Sequence, residues 1–193
     1  MKIFVNLLSV SRIVAAFAIV PLLLEQYFDW AFYVFVFAAF SDWLDGFLAR
    51  RFRVETKVGG VLDHMGDKFL VVNALIMVIM FLQIWSVLAP AVLMICRELY
   101  VSGLREFLGT QKIEMPVPKA RFSIGKIKTA VQMLVLAMML LWVWAVNADW
   151  QSELLTYYLL FAGIGGLWLA LACSLTSAAQ YTVQFAKNMK RIK

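Results

Sequence analysis

Apolar residues in this chain do not alternate with polar ones at the period of a half-buried strand, nor do they keep to one stripe of a surface helix. They continue unbroken for whole segments. Six such stretches, residues 7–24, 30–50, 60–83, 85–108, 124–146 and 154–181, each have about the 20 residues that a membrane-spanning helix needs. Residues 1–8, where Lys2 and Asn6 punctuate apolar positions, predict a short interfacial helix at the N-terminus. The expected fold is therefore all-α: a polytopic membrane protein of six transmembrane helices preceded by that short helix, one domain over residues 1–193. No internal repeat or low-complexity tract interrupts it, and the segment 109–123, with Pro116 and Pro118, is its one substantial loop.

Composition agrees with the pattern. With 63% hydrophobic and 16% charged residues and a mean hydropathy of +0.82, the chain has too little polar surface for an ordinary water-soluble domain. The formal charge of +6 raises the question of nucleic acid. The basic residues, however, sit in loops and at helix ends instead of along an aromatic-studded polar surface, which points to anionic lipid headgroups and phosphorylated substrates and away from nucleic acid. Cys96 and Cys173 each lie within an apolar stretch, which excludes a disulfide framework and a thiol metal cluster and predicts buried, inert thiols. The N-terminal run resembles a secretion signal in having Lys2 before apolar and small residues. Arg12 breaks the run and the apolarity continues past it, so it reads as part of the mature structure.

Alternating the six spans puts both termini and the 50–59 and 109–123 loops on one side. Every Lys and Arg then falls on that side or in the nearer half of a helix. The opposite connections carry only acids, Glu25 and Asp29, then Asp149 and Glu153. The positive-inside rule makes the basic side cytoplasmic, and Trp30, Trp85 and Trp150 fall at the other ends as interfacial aromatics.

Asp42, Asp45, Asp63, Asp67, Arg97, Glu98 and Arg105 lie within or at the edges of the apolar stretches. A charge costs at least about 2.5 kcal/mol at the centre of a bilayer, so these side chains must face the bundle interior. Asp42, Asp45, Gly46, Ala49 and Arg50 fall on one helical face, and Asp63 and Asp67 are one turn apart on the next helix, with Gly59, Gly60 and Gly66 reducing bulk there. Counted from the expected helix ends at about 1.5 Å per residue, both pairs lie roughly 6 to 12 Å from the cytoplasmic side. Four carboxylates at one level need protons or cations to neutralise them. Oxygen-only donors favour hard divalent ions, Mg²⁺ or Mn²⁺, and four acids suit two such ions bridging phosphate oxygens. His64, the sole histidine, points about 100° away from Asp63 around the helix, which suits a supporting or interfacial role better than ligation.

These residues spell D-x-x-D-G-x-x-A-R from Asp42 to Arg50, then eight positions, then G-x-x-x-D-x-x-x-D from Gly59 to Asp67. This resembles the signature of the CDP-alcohol phosphatidyltransferases, with every fixed position present. Asn6 to Arg12, Asp67-Lys68, Arg97-Glu98, Leu104 to Glu106 and Gly125 to Thr129 make the chain most similar to the bacterial branch whose acceptor is sn-glycerol 3-phosphate. The resemblance covers the chain to about Gln132. Between the last two aspartates the chain has His64-Met65-Gly66 where many relatives carry a proline and an alanine.

The resemblance implies that Asp42, Asp45, Asp63 and Asp67 hold two divalent cations on the pyrophosphate of CDP-diacylglycerol and that Asp67 is the general base. It further implies that Gly46, Arg50, Thr56 and Asn6 contact the cytidine diphosphate portion. The expected reaction gives phosphatidylglycerophosphate and CMP, catalysed by a homodimer in a bacterial cytoplasmic membrane with its active site on the cytoplasmic side. Arg97 and Arg105, eight apart on one helical face, with Lys126 and Lys128 at the start of the next helix, are the candidates for binding the acceptor phosphate. Glu98 and Glu106 offer these arginines an alternative, purely structural pairing. Other acceptors remain open on the residues alone: inositol phosphate, phosphatidylglycerol or serine. A cation or proton transporter also uses intramembrane acids, but would need them to connect both faces, and the outer halves of these helices carry no ionisable relay.

Overall fold

The computed structural model describes residues 2–52, 57–110, 124–150 and 152–192, with the side chains of residues 2–6, 42, 43, 45–52, 57, 58, 63, 124–128, 187 and 189–192 lying outside the description. Every regular element among the described residues is an α-helix: α1 Lys2–Leu24, α2 Phe28–Phe52, α3 Lys57–Leu82, α4 Trp85–Thr110, α5 Ile124–Asn147 and α6 Glu153–Ile192. Five are long and apolar enough to cross a membrane. The apolar part of α2, Phe28–Ser41, is shorter, and the helix continues through the acidic segment to Phe52.

Two boundaries differ from expectation. Residues 2–8 form no separate helix but are the first turns of α1, because no helix-breaking residue separates them from the apolar run that begins at Leu7. The last helix does not stop near residue 181 but runs for 40 residues to Ile192. Hydropathy falls there while helix propensity does not. At about 1.5 Å per residue such a helix is roughly twice as long as the ~30 Å hydrocarbon core.

The contacts group the described chain into two compact units, residues 1–83 with 133–163, and residues 84–132 with 164–193. In the first, α1 packs along both α2 and α3, which touch each other over a much shorter stretch. Asn73 Nδ2 donates to the Ala16 carbonyl at 2.8 Å, and the Phe17 and Phe69 rings lie 5.3 Å apart, so α1 and α3 run in the same direction. Phe28 meets Phe81 edge-on at 5.4 Å, which makes α2 antiparallel to α3. In the second unit, contacts climb α4 and α6 together, from the Trp168 indole on the Ser86 carbonyl to Phe107 against Phe185.

Buried residues on α1 recur at three- and four-residue steps, Ser9, Arg12, Ala16, Ile19 and Leu23, and on α2 as Phe28, Ala31, Phe35, Ala38 and Ser41. Alternating large and small side chains let the helices approach closely. Leu7, Val14, Phe17 and Leu24 occupy the other side of α1 and are exposed, as side chains that face lipid are. The same outward exposure overturns one reading of the thiols: both cysteines are free, and Cys96 is exposed on α4 instead of buried. In a bilayer an apolar side chain gains nothing by facing inward.

Candidate active site

The stripe that α2 buries continues in register. From Ala38, four and seven residues on, come Asp42 and Asp45, whose own side chains lie outside those described. On α3 the buried positions Leu70, Ala74 and Val78 extend backwards to Asp67, Gly66 and Asp63 at the same helical spacing. With α2 ending at Phe52 and α3 starting at Lys57, Asp42 and Asp67 each lie about 15 Å along their helices from those ends, and Asp45 and Asp63 about 10 Å. The two pairs therefore share a level, deeper than the expected helix ends implied.

Asp67 is the acid of this group with a described side chain. Nη1 of Arg12 donates to its Oδ1 at 2.8 Å, joining α1 to α3. The Arg12 side chain is completely buried, whereas the Asp67 side chain is 29% exposed. That asymmetry has a chemical meaning. A guanidinium with no access to water needs a nearby carboxylate, while the carboxylate here keeps part of its surface accessible. Gly66 lies against this pair without being required by it: a β-carbon there would sit 3.4 Å from Cδ of Arg12 and 3.5 Å from Cγ1 of Ile13, ordinary van der Waals distances. The His64-Met65-Gly66 departure leaves α3 unbroken.

Sequence reasoning misses Arg12 as a site residue and takes it as an interruption of an apolar run and as the end of a stretch shared with relatives. The signal that singles out the aspartates, a charge inside an apolar stretch, applies to it equally.

Of the cationic candidates, Arg97 is 7% exposed and largely engaged: Nε donates to the Ser174 carbonyl at 3.0 Å, Nη2 to Ser177 Oγ at 3.0 Å and Nη1 to Glu98 Oε1 at 3.1 Å. The structural pairing with Glu98 is thus present. Arg105 is exposed. Its Nη2 donates to the Tyr181 hydroxyl at 2.6 Å and its guanidinium carbon lies 4.8 Å from the centre of that ring. Both arginines meet the same helix, α6, as their eight-residue spacing requires. His64 is exposed on α3.

The side chains of Asn6, Arg50, Lys126 and Lys128 lie outside the described ones, as do the surroundings of Gly46 and the whole of Thr56. Among the described residues no group of three or more His, Cys, Asp or Glu comes together to hold a metal. The donor set that would do so includes Asp42, Asp45 and Asp63. Its all-oxygen chemistry fits a hard divalent cation. A separate cavity of about 400 Å³ lies at the far end of the first unit, at the turn between α5 and α6, lined by Trp142, Asp149, Trp150, Glu153 and Tyr157 among others.

Comparison with known proteins is consistent with this geometry. The family model described as CDP-alcohol phosphatidyltransferase matches residues 2–179. A Pectobacterium atrosepticum protein named CDP-diacylglycerol–glycerol-3-phosphate 3-phosphatidyltransferase is 36% identical over 148 residues, covering 77% of this chain and 74% of that one. Proteins of the same name from Yersinia enterocolitica and Escherichia coli are 41% identical over 128 residues (66% of each chain) and 38% identical over 148 residues (77% and 74%). The match extends from the first turn of α1 well into α6 and takes in both acid-bearing helices, Arg12 and the α4 arginines, so this chain belongs to the CDP-alcohol phosphatidyltransferase family.

Proposed function

We propose that the protein transfers the phosphatidyl group of CDP-diacylglycerol to sn-glycerol 3-phosphate, forming phosphatidylglycerophosphate and CMP. The observation that carries this reading is the complete acidic pattern on α2 and α3, with its last member, Asp67, held in place by a buried arginine and still partly open. The names of the relatives support glycerol 3-phosphate as the acceptor.

In this reading a hydroxyl oxygen of the acceptor attacks the phosphorus that carries the diacylglycerol, a new P–O bond forms and the bond to CMP breaks. Asp67 accepts the hydroxyl proton, and Arg12 fixes the carboxylate that receives it. Asp42, Asp45, Asp63 and Asp67 would hold two divalent cations, Mg²⁺ or Mn²⁺, which when bound supply positive charge to the diphosphate oxygens. Asn6, Gly46, Arg50 and Thr56 would bind the cytidine diphosphate. Arg105, Lys126 and Lys128 would bind the acceptor phosphate, with Arg97 contributing from its engaged position against α6. The basic loops, both termini and this chemistry would lie on the cytoplasmic side of a bacterial inner membrane, in a homodimer.

Purified protein given CDP-diacylglycerol and labelled glycerol 3-phosphate should release CMP and form labelled phosphatidylglycerophosphate. Chelation of divalent cations should stop the reaction, and either Mg²⁺ or Mn²⁺ should restore it. Asp67→Ala should abolish it, a loss of at least about a hundredfold for a general base. Faster turnover of inositol phosphate, serine or phosphatidylglycerol would reassign the acceptor, and a fully active Asp67→Ala protein would remove the proposed base.

A further inference from the structure

On α6 a polar stripe runs toward the C-terminus: Ser177, Tyr181, Gln184 and Asn188, at steps of four, three and four residues. Such spacing puts all four on one side of the helix. The first two are tied to α4, Ser177 by Arg97 and Tyr181 by Arg105. The next two are not. Oε1 of Gln184 and Nδ2 of Asn188 are shielded from solvent and have no hydrogen-bond partner.

A buried polar atom left unpaired costs on the order of 1–3 kcal/mol, so native proteins keep few of them without a reason. Of the five such atoms among the described residues, these two lie one turn apart, one an acceptor and the other a donor, on the stripe that passes the two α4 arginines. Packing does not account for them, since leucine or methionine would fill the same space with no polar cost. A small ligand bearing hydroxyl groups does: a hydroxyl donates to Oε1 of Gln184 and another accepts from Nδ2 of Asn188. An anionic group on the same ligand would find Arg105, which is exposed beyond its contacts with Tyr181.

We infer that Gln184 and Asn188 are specificity residues that read the hydroxyl groups of a polyol phosphate whose phosphate is bound by Arg105. This rests on the proposed acceptor, glycerol 3-phosphate, and extends it: the cations select for phosphate, and the two amides select for the polyol.

The test compares glycerol 3-phosphate with propane-1,3-diol monophosphate, which keeps the phosphate and a terminal hydroxyl but lacks the hydroxyl between them. CMP release from CDP-diacylglycerol is measured with the full-length protein in the presence of Mg²⁺. The wild type should prefer glycerol 3-phosphate by roughly tenfold or more in kcat/KM. Gln184→Met and Asn188→Leu, each read separately, should lower that preference several-fold by raising KM for glycerol 3-phosphate. KM for CDP-diacylglycerol should not change. Thermal midpoints should hold or rise, because each substitution removes a buried unpaired atom, and this separates a lost ligand contact from a damaged fold. If both variants fold and retain the wild-type preference, the inference is wrong while the acceptor assignment stands. A wild-type protein that does not use glycerol 3-phosphate overturns the acceptor assignment and this inference with it.

Discussion

Arg12 illustrates how a single residue can shape an acidic site without belonging to its ligand set. Its guanidinium is fully buried and pairs with Asp67, so removing it affects more than packing. Arg12→Leu removes one side of this ion pair, and breaking a buried pair in this way costs about 3–5 kcal/mol, less here because the aspartate is partly exposed. The expected result is a lower thermal midpoint together with strongly reduced CMP release. Arg12→Lys retains the charge but not the fork of donors, so it should recover stability before activity. A variant with leucine that melts and turns over like the wild type would remove any role for the pair. The remaining acids obey the same electrostatics from the sequence alone, since a carboxylate inside an apolar stretch demands a proton or a cation whatever its rotamer.

At the level of elements, the stability of the bundle depends on how its helices end. Tyr27 N–H bonds to the Leu22 carbonyl and Gln26 N–H to Leu23, the Schellman arrangement, with Gln26 at φ 64°. Trp150 N–H on the Ala145 carbonyl repeats it around Asp149 at φ 48°, and Gln83 at φ 47° closes α3 on Ile79. These left-handed positions cost a residue with a side chain about 1–2 kcal/mol, and glycine much less. Gln26→Gly should therefore raise the thermal midpoint without touching activity. A second device sits in α4. Pro90 has no N–H to give the Ser86 carbonyl one turn earlier, and the indole N–H of Trp168 donates to that oxygen at 3.0 Å instead. Trp168→Phe keeps an aromatic ring but removes the donor from this exposed contact, for an expected loss of about 0.5–1.5 kcal/mol. Thermal unfolding in detergent checks both substitutions, and an unchanged Trp168→Phe midpoint would show that the carbonyl is satisfied in another way.

For the whole molecule, the deciding quantity is the distribution of charge between the two sides. All Lys and Arg fall on one side of the alternating spans or in the adjoining helix halves, and the short turns opposite carry acids and exposed tryptophans, Trp30 at 60% and Trp85 at 80% exposure. A fluorescent protein that matures only in the cytoplasm should glow when fused after Lys193, and a periplasmic phosphatase fused there should stay inactive. The reverse pattern would invert the topology and place the acidic level at the other face. The parallel course of α1 and α3 and the antiparallel course of α2 against α3 are what alternating spans require.

Helices, spans and the acidic level were legible in the residues because each depends on quantities that side-chain chemistry alone supplies: apolar length, the 3.6-residue period and the cost of a charge in lipid. The two α4 arginines could likewise be placed on one face by counting. Counting could not show what each face meets. That α1 lies against both acid-bearing helices, that Arg12 pairs with Asp67 over Gly66, and that Arg97 is engaged by Ser174 and Ser177 while Arg105 stays exposed are facts of helix-to-helix register. Register is set by close packing among residues far apart in the chain, so no local pattern carries it.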